Sequence, residues 1–581
     1  MTDAVRLLFF VLFACSCGSS GESHSGSIRL LDRSFESTSV QELGVQAHSL
    51  SGQRRFGLGG PTPHRFSFSF EVPAAGKLHF GLGQKMRSSG SVPVTVTVKS
   101  ANAQTTLLES EIAAEQEHWQ DQVLDLSAFE GQSIQLEFTT GELHGQAEGE
   151  PSSAEVFWSE LFVESGELKR PNIVFFLIDT LKADHLGCYG YERDTSPTMD
   201  LLASEGVRFD NAISAAPWTD PSILALFTGL YPSDVWNPGP HKRMIRKVVP
   251  EEVTTLAETL ANAGYYTIAA SDHPGIRAGR FGAGFDVFSH LFAGDEKYTG
   301  WKQTPMGTIR GKLQSLIQDR PQGGVFLYVH LIYPHQPHNP PKSYRTMFGP
   351  AAVRTEREER EGVINLYDAE IRRTDDFMKV LLADFALAGL TDDMILSIVS
   401  DHGEGFWEHG NFGHGKSLFN ELLRVPFILR APGRLPAGVV VNELVSHVDL
   451  FPTLLDLADV PSPGTTRGTS LVPFALNQGV KRRVLLSEFA HSEMIRARSL
   501  QSLEEKLIYS GPGKNRKKAM YFDLENDPDE RNDLSAKSEV KSRIANLVDI
   551  FPPRVDRSQG GFGELEPSEE MIDSLNALGY D

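Results

Sequence analysis

Two acids close two apolar runs that lie far apart in the chain. The first run ends Ile178-Asp179-Thr180-Leu181 and the second Val399-Ser400-Asp401-His402-Gly403-Glu404. An aspartate at a strand end often caps the next turn, and either one alone reads that way. Together, and with His402 adjacent, they offer the oxygen and nitrogen donors that a divalent cation takes. Between them, Ala216-Pro217-Trp218-Thr219-Asp220-Pro221-Ser222 leads into the apolar Ile223-Leu224-Ala225-Leu226-Phe227. This order places Thr219 near a helix N-terminus, where unpaired N–H groups and the dipole favour an anion or an ionised hydroxyl. A threonine there can be a plain N-cap; beside a cation it is also a workable nucleophile. Asp179, Thr219, Asp401 and His402 are therefore the candidate metal centre, and Thr219 the candidate nucleophile.

Such a centre needs rigid strand ends to hold it. Asn172-Ile173-Val174-Phe175-Phe176-Leu177-Ile178 is nearly continuous in apolar residues, as expected of a strand buried on both faces. Gly324 to Val329 and Met394 to Val399 repeat the pattern, with helical periodicity over Val253 to Ala263, closed by Gly264, and over Val363 to Leu382. Alternation of this kind predicts a doubly wound α/β domain, whose chemistry sits beyond the carboxyl ends of its strands. The region 28–165 reads differently. Arg65 to Val72 and Val92 to Val98 alternate with period two, and Ile134 to Phe138 and Val156 to Trp158 continue the series. Short strands with Gly, Ser and Asn turns predict a β-sandwich. The stretch Trp119 to Gln132 resembles the galactose-binding-like jelly rolls carried by carbohydrate-active enzymes, so sugar binding stands beside a structural or docking role. Lys169-Arg170-Pro171 marks the boundary between the two regions.

The 581 residues are too many for one core and predict two or three domains. With 55 basic against 76 acidic side chains the net charge is −21, which excludes broad nucleic-acid binding but not a locally positive site for an anion. Of the three cysteines, Cys15, Cys17 and Cys188, only the last lies in the body, so no disulfide framework forms there. Residues 1–17 read as an export leader: Arg6, a short apolar run from Leu7 to Ala14, then small residues. Leu12-Phe13-Ala14-Cys15 and Ala14-Cys15-Ser16-Cys17 resemble the cleavage box of bacterial lipoproteins. The Gly/Ser-rich 18–27 would then be a flexible tether. The expected location is extracytoplasmic, in the periplasm or at the cell surface, with any membrane contact made through that lipid anchor.

Asp179, the Thr219-Asp220-Pro221-Ser222 turn, Thr228-Gly229, Asp401-His402-Gly403-Glu404 and Gly413-His414-Gly415-Lys416 follow one another in the order and spacing of the sulfatase family of the alkaline phosphatase superfamily. Leu186-Gly187-Cys188-Tyr189-Gly190 and Tyr521 to Glu530 also resemble its motifs. The resemblance covers about residues 170–581. It implies an alkaline-phosphatase-like catalytic domain over 170–480 and a smaller α+β subdomain over 481–581. It implies that Asp179, Asp401 and His402 hold the metal and that Lys416 grips the ester anion. His335, in Tyr333-Pro334-His335-Gln336-Pro337-His338, is similar to the histidine beside the leaving group and is the candidate general acid, with His414 as a second.

The departures carry information too. The family string Cys-x-Pro-Ser-Arg is here Thr219-Asp220-Pro221-Ser222-Ile223, so no formylglycine is expected and the supporting arginine is missing. The usual aspartate pair is Asp179-Thr180, and Ser271-Asp272-His273-Pro274 lies near the place of the family's Gly-Lys-Trp-His element. What remains, Asp-Thr-Asp-His, resembles the single-metal site of phosphoethanolamine transferases and phosphodiesterases of the same superfamily. The expectation is a hydrolase of sulfate or phosphate esters with one divalent ion (Zn, Mn or Ca), acting on a sulfated or phosphorylated glycan or lipid. A transferase or phosphodiesterase on envelope lipid or glycan, and a non-catalytic glycan-binding relative, are the alternatives.

Overall fold

The computed structural model describes residues 28–541 and Arg543 apart from internal stretches, the longest being 236–248 and 292–303. The leader and tether fall outside the described residues. Strands Ile173–Ile178, Val325–Leu331, Ile395–Ser400 and Tyr266–Ser271 are buried along their whole length, as continuous apolar runs require. Ile173–Ile178 lies between Val325–Leu331 and Ile395–Ser400, parallel to both. Tyr266–Ser271 extends the parallel set and Val287–His290 follows it. On the other side Phe427–Arg430 pairs antiparallel with Ile395–Ser400.

Period-two alternation divides the central strand between two cores. Ile173, Phe175 and Leu177 pack under helices Thr219–Thr228, Leu256–Asn262 and Leu450–Leu457. Val174, Phe176 and Ile178 face helices Pro197–Ser204, Met306–Gln318 and Glu356–Leu387. This is the expected α/β architecture. Leu256–Asn262 starts on a capping box: the Thr255 hydroxyl accepts from the Glu258 amide at 3.1 Å, and the Glu258 carboxylate accepts from the Thr255 amide at 2.7 Å. Glu356–Leu387 is longer at both ends than the periodicity of 363–382 indicates. A separate antiparallel sheet follows, Leu485–His491, Met494–Gln501, Glu505–Ser510 and Lys518–Asp523. No helix among the described residues is long and apolar enough to cross a membrane.

The N-terminal strands form two facing sheets around a core that includes Phe66, Phe68, Phe138 and Trp158. One of these sheets does not stop at its own edge. Gln53–Pro61 pairs antiparallel with Val287–His290, so the sandwich and the α/β domain share one continuous sheet. Charges seal the junction. The buried Arg55 reaches Glu160 at 3.2 Å and also binds Asp121, while Tyr266 of the α/β domain donates to Glu160 at 2.8 Å. Burial pushes Glu160 up to about 7 even with Arg55 beside it. Arg29 adds a bond to Asp286 at 2.7 Å. Arg55→Leu would strand Glu160 without its cation, and we expect a loss of about 3–5 kcal/mol in urea unfolding. A loss below about 1 kcal/mol, the range of exposed ion pairs, would show that the junction does not depend on this pair.

Candidate functional site

Asp179 follows the central strand directly, and its amide donates to the Leu331 carbonyl at 3.0 Å on the neighbouring strand. Asp401 follows the next strand over. Its Oδ1 accepts from the Thr180 amide at 3.1 Å and from the His402 amide at 2.9 Å, which fixes the carboxylate and turns Oδ2 inward. Thr180 sits at φ +55°, a left-handed turn that swings the chain away once Asp179 is placed. The Thr180 carbonyl accepts from the Tyr367 hydroxyl at 2.7 Å, and that hydroxyl accepts from the Lys182 amide at 2.9 Å.

Thr219 is the first residue of helix Thr219–Thr228, and Trp218 rather than Thr219 occupies the N-cap position. The helix entry is pinned from behind: Ser214 donates to the Asp401 carbonyl at 2.6 Å, and Ser222 donates to the Ala216 carbonyl at 2.9 Å. Thr219 Oγ1 lies 3.3 Å from His402 Nε2. The other His402 nitrogen, Nδ1, donates to the Gly403 carbonyl at 2.8 Å, so Nε2 carries the lone pair. That nitrogen stands 3.4 Å from Asp401 Oδ2 and 4.0 Å from Asp179 Oδ1. The four residues singled out in the sequence thus meet at one buried point.

A fifth joins them. His330, on strand Val325–Leu331, places Nε2 at 3.4 Å from Asp179 Oδ2, and Asp179, His330 and Asp401 offer donor atoms within 4.8 Å of one another. Its signal in the sequence was a single polar residue inside an apolar run, which by itself reads as a satisfied core histidine. His273 approaches the same Asp179 oxygen at 3.7 Å. Burial, then the charges of Asp401, Glu404 and Asp272, push Asp179 well above the carboxylate range. Burial lifts Asp272 to about 7 and lowers His330 to about 4, leaving a neutral imidazole.

The donors fit a cation. Neither Asp179 oxygen, nor Asp401 Oδ2, nor either His330 nitrogen has a hydrogen-bond partner, although all are buried. Buried polar atoms are almost always satisfied, and buried carboxylates converging without hydrogen-bond donors are the arrangement a divalent cation satisfies.

The candidate proton-transfer groups form the next layer. His414 lies with its ring 4.5 Å from that of His402 and 4.9 Å from that of His335, and its Nδ1 contacts Glu404 Oε1 at 3.0 Å. His335 is buried, with Nδ1 donating to the Gln336 carbonyl at 2.6 Å. Burial, then His414, hold His335 down at about 3, so it is neutral until an anion arrives beside it. Lys416 is exposed at the rim, its ammonium donating to the Phe412 carbonyl at 3.0 Å. Ile223 is fully buried in the apolar core under the helix, so the position after Ser222 brings no cation to Thr219. Cys188 is a free, half-buried thiol.

Gly403 shows how tightly the metal loop is seated. Its amide donates to the Leu422 carbonyl at 2.8 Å, and a Cβ there would lie 2.2 Å from the Glu421 carbonyl oxygen. Gly403→Ala must therefore push Asp401 and His402 outward. A shift of about 1 Å is expected to cost on the order of 10²-fold in kcat. Steady-state rates with metal content measured in parallel check this; an unchanged rate would mean that the loop yields elsewhere.

Two family models match the chain: Sulfatase over residues 171–460, and N-sulphoglucosamine sulphohydrolase, C-terminal, over residues 407–551. An arylsulfatase of Clostridium perfringens is 25% identical over 68% of this chain and 96% of its own. An ulvan-active sulfatase of Formosa agariphila is 26% identical over 72% of this chain and 90% of its own. Among solved structures, the phosphonate monoester hydrolase of Agrobacterium radiobacter superposes with a TM-score of 0.53 at 18% identity, over 65% of this chain and 94% of that one. At that identity the likeness establishes the fold. The matched models begin where the parallel strands begin and run on through the antiparallel sheet, and with the donors gathered at the strand ends they make the chain a member of the sulfatase family of the alkaline phosphatase superfamily, a metal-dependent hydrolase of sulfate or phosphate esters.

Proposed function

We propose that Thr219 is the nucleophile and that the preferred ester group carries a single negative charge, as a sulfate monoester or a phosphodiester does. The observation that carries this reading is the position of Thr219 Oγ1: on the first turn of a helix, 3.3 Å from His402 Nε2. A bound divalent ion would lower the pKa of the hydroxyl and neutralise charge on the ester oxygens. The chain's own groups do the rest. The Thr219 hydroxyl gives up its proton to solvent, and its Oγ forms a bond to sulfur or phosphorus as the bond to the leaving oxygen breaks. His335, with His414 beside it, takes up a proton from solvent once the anion has raised its basicity and passes it to that oxygen. Water then displaces Thr219 at the same centre and restores the hydroxyl.

The charge preference follows from what surrounds Thr219. Its helix turn carries Asp220 and no base, Ile223 is buried, and Lys416 waits at the rim. A dianion would meet too little positive charge here, next to Asp179 and Asp401. The ulvan-active relative supports an anionic glycan as the larger substrate, and the leader supports an extracytoplasmic, lipid-anchored enzyme.

The test is a panel on the metal-supplemented protein: an aryl sulfate, an aryl phosphate monoester and a bis-aryl phosphate. Turnover of the sulfate or the diester above the monoester is expected, and which of the two is faster separates sulfur from phosphorus chemistry. Preference for the dianionic monoester would overturn the charge argument, and silence on all three would favour a binding role.

A further inference from the structure

His330 is fully buried, and neither of its ring nitrogens has a hydrogen-bond partner. Leaving such a group unsatisfied costs a folded protein free energy, so its position needs a reason. The strand supplies the geometry. Phe326, Tyr328 and His330 alternate onto the face that carries helix Thr219–Thr228. Tyr328 packs against Phe227 of that helix with ring centroids 4.9 Å apart. Two residues further on, parallel pairing sets His330 level with Leu177, two residues short of Asp179. The imidazole therefore arrives at the strand ends from beneath, 3.4 Å from Asp179 Oδ2 and on the side of the carboxylate away from His402, whose Nε2 is closest to Oδ1.

We propose that His330 is a ligand of the catalytic cation, so that two imidazoles, His330 and His402, share it with Asp179 and Asp401, and that this donor set selects a zinc-type ion over calcium or magnesium. Neutral imidazoles bind borderline transition metals well, whereas calcium and magnesium take oxygen ligands almost exclusively. The inference rests on the cation reading of the site and adds both a ligand and a metal class to it.

The experiment uses the full chain stripped by chelator and reloaded. Zn²⁺ and Ca²⁺ affinities are measured by competition with an indicator chelator, stoichiometry by elemental analysis, and nitrogen ligation by the visible bands of the Co²⁺ form. In the wild type, one Zn²⁺ per chain, bound more tightly than Ca²⁺, is expected. His330→Leu should weaken Zn²⁺ at least about tenfold, since even partners outside the ligand shell cost 10–100-fold when lost. It should also shift the Co²⁺ bands and leave Ca²⁺ affinity nearly unchanged. The metal-free melting temperature of His330→Leu should equal or exceed that of the wild type, because an unpaired buried polar group has been removed; a merely structural histidine would give the opposite sign. His330→Asn provides the same comparison should Leu not pack. Unchanged Zn²⁺ affinity and Co²⁺ bands in the variants would overturn the inference while leaving the cation site standing. A wild type that takes up no divalent ion would remove both.

Discussion

Thr219→Ala is expected to lower kcat by about 10⁴-fold or more on whichever ester the panel identifies, the scale seen when a nucleophile that acts with its partners is deleted. The side chain is buried at the first turn of a ten-residue helix and faces His402, so its loss removes the attacking atom without opening the fold. The metal-free melting temperature should stay close to that of the wild type, while metal affinity should fall by the contribution of the Thr219 hydroxyl. Thr219→Ser keeps the hydroxyl and should retain part of the rate, with the deficit reflecting the extra rotamer freedom of a side chain without its methyl. Because a threonine ester has no aldehyde to collapse to, it must wait for water. A quenched reaction should therefore yield the Thr219 peptide carrying the transferred group, absent in the Ala variant. Wild-type turnover by Thr219→Ala would end the nucleophile assignment.

Removing the cation is the second large effect. A chelator should abolish turnover and lower the melting temperature; an ion present at about 1,000 times its Kd contributes about 4 kcal/mol. Asp179→Asn should cost on the order of 10³-fold in kcat, the scale of a lost electrostatic stabiliser of the transition state, and make the melt insensitive to chelator. The metal-free state behaves in the reverse sense. Burial and three neighbouring acids raise Asp179 in the folded chain, so the folded metal-free protein binds a proton that the unfolded chain releases in the ordinary carboxylate range. Its stability is then greatest below that range and falls as pH rises through the raised value. Asp179→Asn removes this slope, and the metal-free variant should melt at or above the metal-free wild type near neutral pH. A wild type whose melting temperature ignores both chelator and pH would contradict the whole electrostatic account of the site.

How much of this could be read in advance depended on how local the signal was. The runs at 173–178 and 394–399 announced strands buried on both faces, because no half-exposed strand tolerates an unbroken apolar stretch. Asp179, Asp401 and His402 followed those runs directly, and Thr219 opened an apolar helix, so their candidacy needed only neighbours in sequence. Glu404 was visible beside them, but its contact with His414 was not.

His330 was different. Its meaning comes from parallel register with the central strand, which sets it level with Leu177 and under Asp179, and register between strands some 150 residues apart is a long-range outcome of packing. The fusion of the N-terminal sandwich with the catalytic sheet was hidden for the same reason. Alternation within Gln53–Pro61 tells which side chains turn inward but not that Val287–His290 will be its partner, nor that Arg55, Glu160 and Tyr266 will meet across the seam. The amino-acid sequence by itself determined the elements and singled out the candidate donors and the candidate nucleophile, since those depend on residue type and the next few positions; the tertiary structure alone decided which strands became neighbours, and with them the approach of His330 to Asp179 and the single sheet that joins both halves.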